Sequence, residues 1–221
     1  MDLDDVLFWL GHASFYIKAN GLKVFIDPFR ISDNFKGQAD LILITHAHFD
    51  HCSKDDIKRV MKKDASIIAA KGCLDAGDYS NLTVAKPGFG TNFHGIGIEA
   101  VPAYNTRNER MDFHPRASEG VGYVVDVDGM RIYHAGDTDL IPEMKDLKDV
   151  YAALLPVGGK YTMTADEAIE AVRMIKPKFF VPMHYKNLLG SEGSKALEEK
   201  LMKELDNCHI MKETGKPTYS F

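Results

Sequence analysis

Cysteine and long apolar runs are both scarce in this chain of 221 residues. The three cysteines, Cys52, Cys73 and Cys208, are scattered and odd in number, which argues against a disulfide framework and favours a reducing compartment. No apolar run approaches the roughly 18 residues that a membrane-spanning helix requires. The acidic start, Met1-Asp2-Leu3-Asp4-Asp5, is unlike a signal peptide. We therefore expect a cytoplasmic protein without a membrane span.

Concentrated positive charge is also absent. The chain carries 27 Lys and Arg against 32 Asp and Glu, for a net charge of −5, and no basic block stands out. Nucleic acid is therefore not an expected partner. The hydrophobic fraction of 45% suffices for a sizeable core, and the length suits one α/β domain. We expect a single domain over residues 1–221 that acts on a small molecule, while the oligomeric state stays open.

The chain repeats one plan in its two halves. Each half contains a pair of apolar strands joined by a dipeptide that tolerates positive φ, Asn20-Gly21 in the first and Asp128-Gly129 in the second. Such dipeptides between apolar runs predict β-hairpins. The predicted strands cover residues 14–19 and 22–26, then 122–127 and 130–134.

Helices and buried strands complete each half. Ser53 can cap a helix that continues through Ile57, Val60 and Met61, and Thr164 to Glu167 forms a capping box for a helix that stops before Pro177. Apolar runs predict buried strands at 41–44, 152–157 and 179–181, and a last helix is expected over 194–205. Two strand-rich halves, each with a helix, predict an α/β fold of two sheets packed face to face with helices outside.

The densest chemical feature is the segment Thr45-His46-Ala47-His48-Phe49-Asp50-His51. It directly follows the apolar run at 41–44, so His46, His48, Asp50 and His51 lie where a buried strand ends. Imidazole and carboxylate are ligand types of zinc and similar divalent metals. Four such groups this close can serve two metal ions, and we favour this reading over a solvated polar loop.

Two later strand ends carry the same types of side chain. Asp137 follows His134, Ala135 and Gly136 after the strand at 130–134, and Gly136 lets the backbone turn sharply. His184 follows the strand at 179–181. Alone, each would suit a structural role, but beside the first cluster both become candidate ligands.

These motifs resemble the metallo-β-lactamase superfamily. The resemblance rests on Thr45 to His51, on His-Ala-Gly-Asp-Thr, on Val-Pro-Met-His-Tyr and on Ile26-Asp27-Pro28-Phe29. The segments Trp9-Leu10-Gly11-His12-Ala13-Ser14-Phe15 and Leu155-Pro156-Val157-Gly158-Gly159 are similar to small metal-dependent hydrolases related to ascorbate-phosphate lactonase and to the phospholipase D that acts on N-acyl phosphatidylethanolamines. The resemblance implies a four-layer αβ/βα sandwich with the site at one edge.

The resemblance also implies a dinuclear site, most simply with two zinc ions, and with manganese or iron as alternatives. His46 and His48 would hold the first metal, Asp50, His51 and His184 the second, and Asp137 would bridge them. A hydroxide formed at the metals would attack a small ester, lactone or phosphodiester, and Asp50 could accept the proton of the nucleophile. Asp27, His12 and His134 would support the ligands.

One departure from the family pattern concerns the first metal. The family supplies a third histidine to that ion from a loop after a middle strand, and here Asn105 occupies the matching position. The side-chain oxygen of Asn is a weak zinc ligand, and His114 lies nine residues later. Both Asn105 and His114 are therefore candidates for an extra ligand or a substrate contact, and His114 is the candidate replacement for the missing histidine.

Two other functions remain open. A mononuclear iron dioxygenase can use the same His-x-His motif, whereas di-iron reductases of the superfamily tend to place Glu where this chain has His48. A non-catalytic metal-binding module is the other alternative, and it rests only on Asn105.

Overall fold

The computed structural model describes residues 2–75 and 77–214. Within these residues the chain divides into two compact units. The amino-terminal unit contains the described residues up to Ala85 together with residues 211–214, and the carboxy-terminal unit runs from Lys86 to Ile210. None of the helices in these described ranges is long and apolar enough to cross a membrane.

The amino-terminal unit is built on a six-stranded sheet in which each strand pairs with its neighbours in chain order. The pairings among the first three strands are antiparallel, whereas the pairings from the third strand to the sixth are parallel, so the sheet is mixed. The strands are β1 Leu7–Gly11, β2 Ser14–Ala19, β3 Leu22–Ile26, β4 Ala39–Ile44, β5 Met61–Ala70 and β6 Leu82–Ala85. Strand β4 is central and buried from Leu41 to Ile44, which explains its uninterrupted apolar sequence.

Two helices and one short 3₁₀ turn, Asp33–Phe35, complete this unit. Helix α1 is the single turn Leu3–Val6, and α2 is Lys54–Val60. The Ser53 side chain caps α2 by accepting a hydrogen bond from the Asp56 backbone N–H. Because the capping residue Ser53 lies two residues after His51, it anchors the far end of the loop that carries the histidines.

The carboxy-terminal unit has a second six-stranded mixed sheet, again ordered along the chain. Strands β7 to β10 are antiparallel, and β10 to β12 are parallel. The strands are β7 Gly90–Phe93, β8 Ile96–Pro102, β9 Val121–Val127, β10 Met130–His134, β11 Val150–Pro156 and β12 Phe179–Met183.

This unit contains helices α3 Ala165–Ile175 and α4 Lys186–Glu204, and 3₁₀ turns at Arg116–Ser118 and Pro142–Asp146. Thr164 and Glu167 form both hydrogen bonds of a capping box at the start of α3. Its apolar side, including Ala168, Ile169 and Val172, is buried. Helix α4 is broken at Gly190, whose φ is 66°.

The expected α/β class is confirmed, because each unit combines a mixed sheet with helices. Both hairpins and both helix starts are also confirmed, at Ser53 and at Thr164. The prediction that Met61 continues α2 is wrong. Met61 has an extended backbone and pairs with Ala39 in the sheet, so strand pairing overrides its helical spacing. The helix expected over 194–205 is the later part of α4.

Candidate metal centre

The amino-terminal unit gathers six chemically active side chains at the ends of three strands. His12 follows β1, Asp27 follows β3, and the others follow β4. We call this group the amino-terminal cluster; it consists of His12, Asp27, His46, His48, Asp50 and His51. Parallel pairing of β3 with β4 brings their carboxyl ends to the same edge of the sheet, which places Asp27 beside the histidine loop.

Asp27 is fully buried and fixes two of these imidazoles. Its carboxylate accepts hydrogen bonds from the Thr45 backbone N–H at 2.8 Å, the Thr45 hydroxyl at 2.6 Å and His51 Nδ1 at 2.7 Å. Because the Thr45 proton points at Asp27, Thr45 Oγ1 can only accept from His46 Nδ1, 3.0 Å away. Both His46 and His51 therefore carry a proton on Nδ1, which leaves Nε2 of each with a lone pair for a metal ion.

The remaining members of the cluster supply further donor atoms. His46 Nε2 lies 3.1 Å from His48 Nδ1, and His12 Nε2 lies 3.0 Å from Asp50 Oδ2. Donor atoms of His12, Asp50 and His51 lie within 4.8 Å of one another. Imidazole nitrogens and a carboxylate oxygen at these separations form a donor set of the type that zinc prefers.

The carboxy-terminal unit forms its own group of donors around Asp137. We call it the carboxy-terminal cluster; it consists of Asn105, His114, His134, Asp137 and His184. Asp137 Oδ2 lies 3.3 Å from His114 Nε2 and 3.2 Å from His184 Nε2. All five residues are buried. Two imidazole nitrogens and one carboxylate oxygen thus converge within this unit alone, and their chemistry also suits a divalent metal.

Local backbone geometry explains how Asp137 and His184 are presented. His134 Nδ1 accepts a hydrogen bond from the Gly136 N–H at 3.1 Å, which commits that nitrogen to the turn before Asp137. Gly136 has a φ of 64°. His184 has a φ of 58°, and a Cβ at Gly158 would lie only 2.5 Å from the His184 carbonyl oxygen. Gly158 therefore gives the backbone of His184 the space it occupies.

Three cluster residues hold strained backbone conformations. His12, Asp27 and His184 have φ values of 51°, 45° and 58°, in the left-handed region that residues with a Cβ rarely adopt. Such strain concentrates at functional sites, where surrounding contacts enforce it.

His114 and Asn105 contact each other directly. His114 Nδ1 lies 2.7 Å from Asn105 Oδ1, and the Asn105 amide nitrogen donates to Asp139 Oδ1 at 3.0 Å. The sequence interpretation missed Asp139 and Arg110, whose guanidinium lies 3.0 Å from Asp139. The only sequence signal for Asp139 was its place two residues after Asp137.

The loop of the amino-terminal cluster also exposes an apolar side chain that the sequence interpretation did not use. Phe49 lies between His48 and Asp50, and 76% of its surface is exposed. The centroids of the Phe49 and Phe29 rings lie 5.9 Å apart, and the two rings are nearly perpendicular. The Arg30 guanidinium carbon lies 5.0 Å from the centroid of the Phe29 ring. Together with Phe29, the Phe49 ring gives this loop an apolar surface beside the candidate ligands His48 and Asp50.

The two cysteines near this loop form a buried pair. The Cys52 thiol donates to the Cys73 carbonyl at 3.1 Å, and both residues are free thiols. This contact gives Cys52 a packing partner on its own unit. His94 is exposed, while His209 is half-buried against Phe179.

Comparison with known proteins gives consistent similarities. The profile of the Beta-lactamase superfamily domain matches residues 6–184. A UPF0173 metal-dependent hydrolase of Thermococcus onnurineus is 37% identical over 193 residues, which cover 80% of this chain and 83% of the relative. A crystal structure of a Parabacteroides distasonis protein has a TM-score of 0.81 at 37% identity and covers 93% of this chain and 91% of its own. Igni18, a metallo hydrolase from Ignicoccus hospitalis, has a TM-score of 0.73 at 26% identity and covers 95% of each chain.

Proposed function

This chain belongs to the family of the beta-lactamase superfamily domain and has the metallo-β-lactamase fold. From that premise we propose that it is a metal-dependent hydrolase and that the amino-terminal cluster and the carboxy-terminal cluster each supply metal ligands. The observation that carries this proposal is the donor chemistry of both clusters. The proposed ligands are His46, His48, Asp50, His51, His114, Asp137 and His184.

Hydrogen bonds within the protein orient the proposed ligands without a metal ion. Asp27 and Thr45 hold His46 and His51 with Nε2 available, and the turn at Gly136 presents Asp137. Divalent metal ions would lower the pKa of a bound water toward about 7 and polarise the bond to be cleaved. Asp50, whose Oδ2 lies 3.0 Å from His12 Nε2, would accept the proton of the attacking water.

We assign the substrate to small esters, lactones or phosphodiesters that carry an apolar group. The support is the exposed Phe49 ring and its contact with Phe29, which offer an apolar surface beside the proposed ligands. Phe49→Ala should raise KM for substrates with aryl or alkyl groups and leave metal content unchanged. Val84, which is exposed in the same unit, provides the control variant Val84→Ala. Equal KM values for Phe49→Ala and wild type would show that Phe49 does not contact the substrate.

The proposal is tested by metal removal and by one ligand substitution. Protein stripped with a chelator and reloaded with zinc, manganese or iron should regain hydrolysis of one or more members of an ester, lactone and phosphodiester panel. Asp137→Ala should lose at least one metal ion per chain and lose activity, because the remaining cations lose a carboxylate that screens their charges. The exposed Asp206 supplies the control Asp206→Ala.

Two outcomes would contradict the proposal. One is a purified wild-type protein that retains no divalent metal in stoichiometric amount after loading. The other is an Asp137→Ala protein with the metal content and turnover of the wild type.

A further inference from the structure

Asn105 begins a loop whose two ends are tied together in the carboxy-terminal unit. The Asn105 backbone N–H donates to the His114 carbonyl at 2.8 Å. Both side chains are buried, with 3% of Asn105 and 5% of His114 exposed. The loop therefore brings His114 back beside Asn105, which lies nine residues earlier in the chain.

The contacts of the Asn105 amide fix its orientation. Its nitrogen donates to Asp139 Oδ1 at 3.0 Å and to the Tyr161 carbonyl at 3.1 Å. Both partners are acceptors only, since one is a carboxylate and the other a carbonyl oxygen. A flipped amide would place its oxygen against both of them, so the oxygen must face His114.

This orientation determines where His114 carries its proton. Asn105 Oδ1 lies 2.7 Å from His114 Nδ1, and an amide oxygen can only accept a hydrogen bond. His114 must therefore donate from Nδ1. In the neutral imidazole Nε2 then keeps its lone pair, and this is the nitrogen that lies 3.3 Å from Asp137 Oδ2.

A buried ion pair between Asp139 and Arg110 fixes the carboxylate to which the Asn105 amide donates. Asp139 also accepts from the backbone N–H groups of Thr106 at 2.8 Å and Arg107 at 3.0 Å, and the Arg110 Nε lies 3.0 Å from its carboxylate. Arg110 is anchored in turn by two 2.8 Å contacts with Glu167 at the start of α3. The Asn105 amide thus connects His114 to a rigid group of charges rather than to a mobile side chain.

The amino-terminal unit uses the same arrangement with one variation. Asp27 accepts directly from His51 Nδ1 and reaches His46 Nδ1 through the Thr45 hydroxyl. In the carboxy-terminal unit the Asn105 amide has the role that Thr45 has in the amino-terminal unit, because it connects a buried carboxylate to an imidazole. Among the described residues, each unit therefore contains a polar side chain between a buried carboxylate and an imidazole.

We propose that Asn105 is a positioning residue that holds His114 in the Nδ1-protonated form, so that Nε2 of His114 is the ligand atom for a metal ion. This inference rests on the proposed function for the identity of the ligand, but its geometric part concerns the metal-free protein. It gives Asn105 a role behind the ligand, in place of the direct metal contact that its sequence position suggested.

The first measurement is ¹⁵N NMR of the histidine rings in metal-free protein, where the resonances of Nδ1 and Nε2 report which nitrogen carries the proton. The spectrum is recorded at least about two pH units above the ordinary imidazole pKa of ~6.5, so that neutral rings dominate. The His114 signals are assigned by their loss in His114→Gln. Wild-type His114 should be protonated on Nδ1, whereas Asn105→Leu should populate the Nε2-protonated form.

Two further variants separate positioning from simple structural support. Asn105→Asp keeps an oxygen facing His114 but loses both donated hydrogen bonds and faces Asp139, so it should lower the melting temperature and retain the proton on Nδ1. Asn207 donates to the Pro177 carbonyl at 2.9 Å in the same unit, and Asn207→Leu should leave the His114 tautomer unchanged.

The second measurement is zinc affinity by competition with a chromophoric chelator. Asn105→Leu should weaken the zinc ion bound by His114 by roughly 10–100-fold, the usual effect of removing a partner behind a ligand. Asn207→Leu should bind zinc as the wild type does.

The possible results separate this inference from the proposed function. A wild-type His114 protonated on Nε2, or an Asn105→Leu protein with unchanged tautomer and unchanged zinc affinity, would overturn the positioning role. A wild-type protein that binds no zinc but keeps His114 protonated on Nδ1 would overturn the function and the ligand role of His114, and would leave only the tautomer assignment.

Discussion

A single buried carboxylate, Asp27, determines the proton positions of two proposed ligands. Its oxygens face three donors, two from Thr45 and one from His51. An amide in its place would direct its own NH₂ group at one or more of these donors in either orientation. Replacing Asp27 by asparagine should therefore destabilise the fold by more than the free energy of one neutral hydrogen bond.

We predict that Asp27→Asn lowers the free energy of unfolding of the metal-free protein by roughly 2–4 kcal/mol, because buried donors lose a charged acceptor. Urea denaturation at neutral pH measures this. The exposed Asp64 of the same unit gives the control Asp64→Asn, which should stay within about 0.5 kcal/mol of wild type. Equal effects of the two substitutions would show that Asp27 has no special structural role.

Gly158 illustrates a requirement for space rather than for a functional group. An added Cβ would lie 2.5 Å from the His184 carbonyl oxygen and 2.6 Å from a Leu188 methyl carbon. The first contact is with backbone and cannot be relieved by a side-chain rotation.

We predict that Gly158→Ala costs roughly 1–3 kcal/mol, as overpacking substitutions do, and weakens metal binding because His184 must move. Thermal melting and metal content measure the two effects. The control is Gly90→Ala in the same unit, where the nearest atom lies 3.9 Å from the added Cβ. Normal metal content together with normal stability in Gly158→Ala would contradict this role.

Local sequence signals predicted only part of the site at this scale. His46, His48, Asp50 and His51 are contiguous in sequence and follow an apolar run, so their spacing alone indicated a metal site. The connection from His114 through Asn105 to Asp139 could not be predicted, because it depends on how a loop closes and which buried charges meet it. Whether each candidate acts as a ligand stays a prediction.

At the scale of helices and strands, the elements with local signals were the predictable ones. Asn20-Gly21 and Asp128-Gly129 specified their hairpins because both residues of each pair adopt positive φ. Strand β7, with the polar sequence Gly-Thr-Asn-Phe, had no alternating pattern and is defined by its pairing with β8. Met61 shows the same dependence on pairing, since its partner Ala39 is 22 positions away in the chain.

Helix α3 depends on one carboxylate that serves both its own start and the Asn105 loop. Glu167 accepts from the Thr164 N–H at 2.9 Å and receives two contacts from Arg110. Burial alone would raise the pKa of Glu167, but the Thr164 N–H and the guanidinium groups of Arg110 and Arg107 outweigh burial and hold its pKa below the ordinary 4.5. A group with a lowered pKa in the folded state stabilises above its unfolded pKa, and this contribution disappears as the pH falls through the folded value.

We predict that Glu167→Gln is less stable than wild type at neutral pH, and that the difference shrinks as the pH falls below about 4.5. Urea midpoints measured at several pH values test this. Glu170 is exposed on the same helix, and Glu170→Gln should show no such convergence. A difference between wild type and Glu167→Gln that is independent of pH would contradict the assigned charge interactions.

At the scale of the whole molecule, each unit places several of the cluster residues after strands that take part in parallel pairs. Asp27 and the histidine loop follow β3 and β4, while Asp137 and His184 follow β10 and β12. Parallel strands bring their carboxyl ends to one edge, which explains why distant sequence motifs could indicate one family and one fold. The narrower relation to lactonases or phospholipases stays a prediction, because the ligand motifs do not determine the substrate.

We propose above all that the buried donors of the carboxy-terminal cluster form a metal site around Asp137. Anomalous X-ray diffraction at the zinc edge, from crystals of zinc-loaded protein, tests it most directly. We predict zinc peaks in contact with Asp137, a zinc bound through Nε2 of His114, and no zinc contact with Asn105. A zinc-loaded crystal with no anomalous peak beside Asp137, or with zinc bound to the Asn105 side chain, would contradict it.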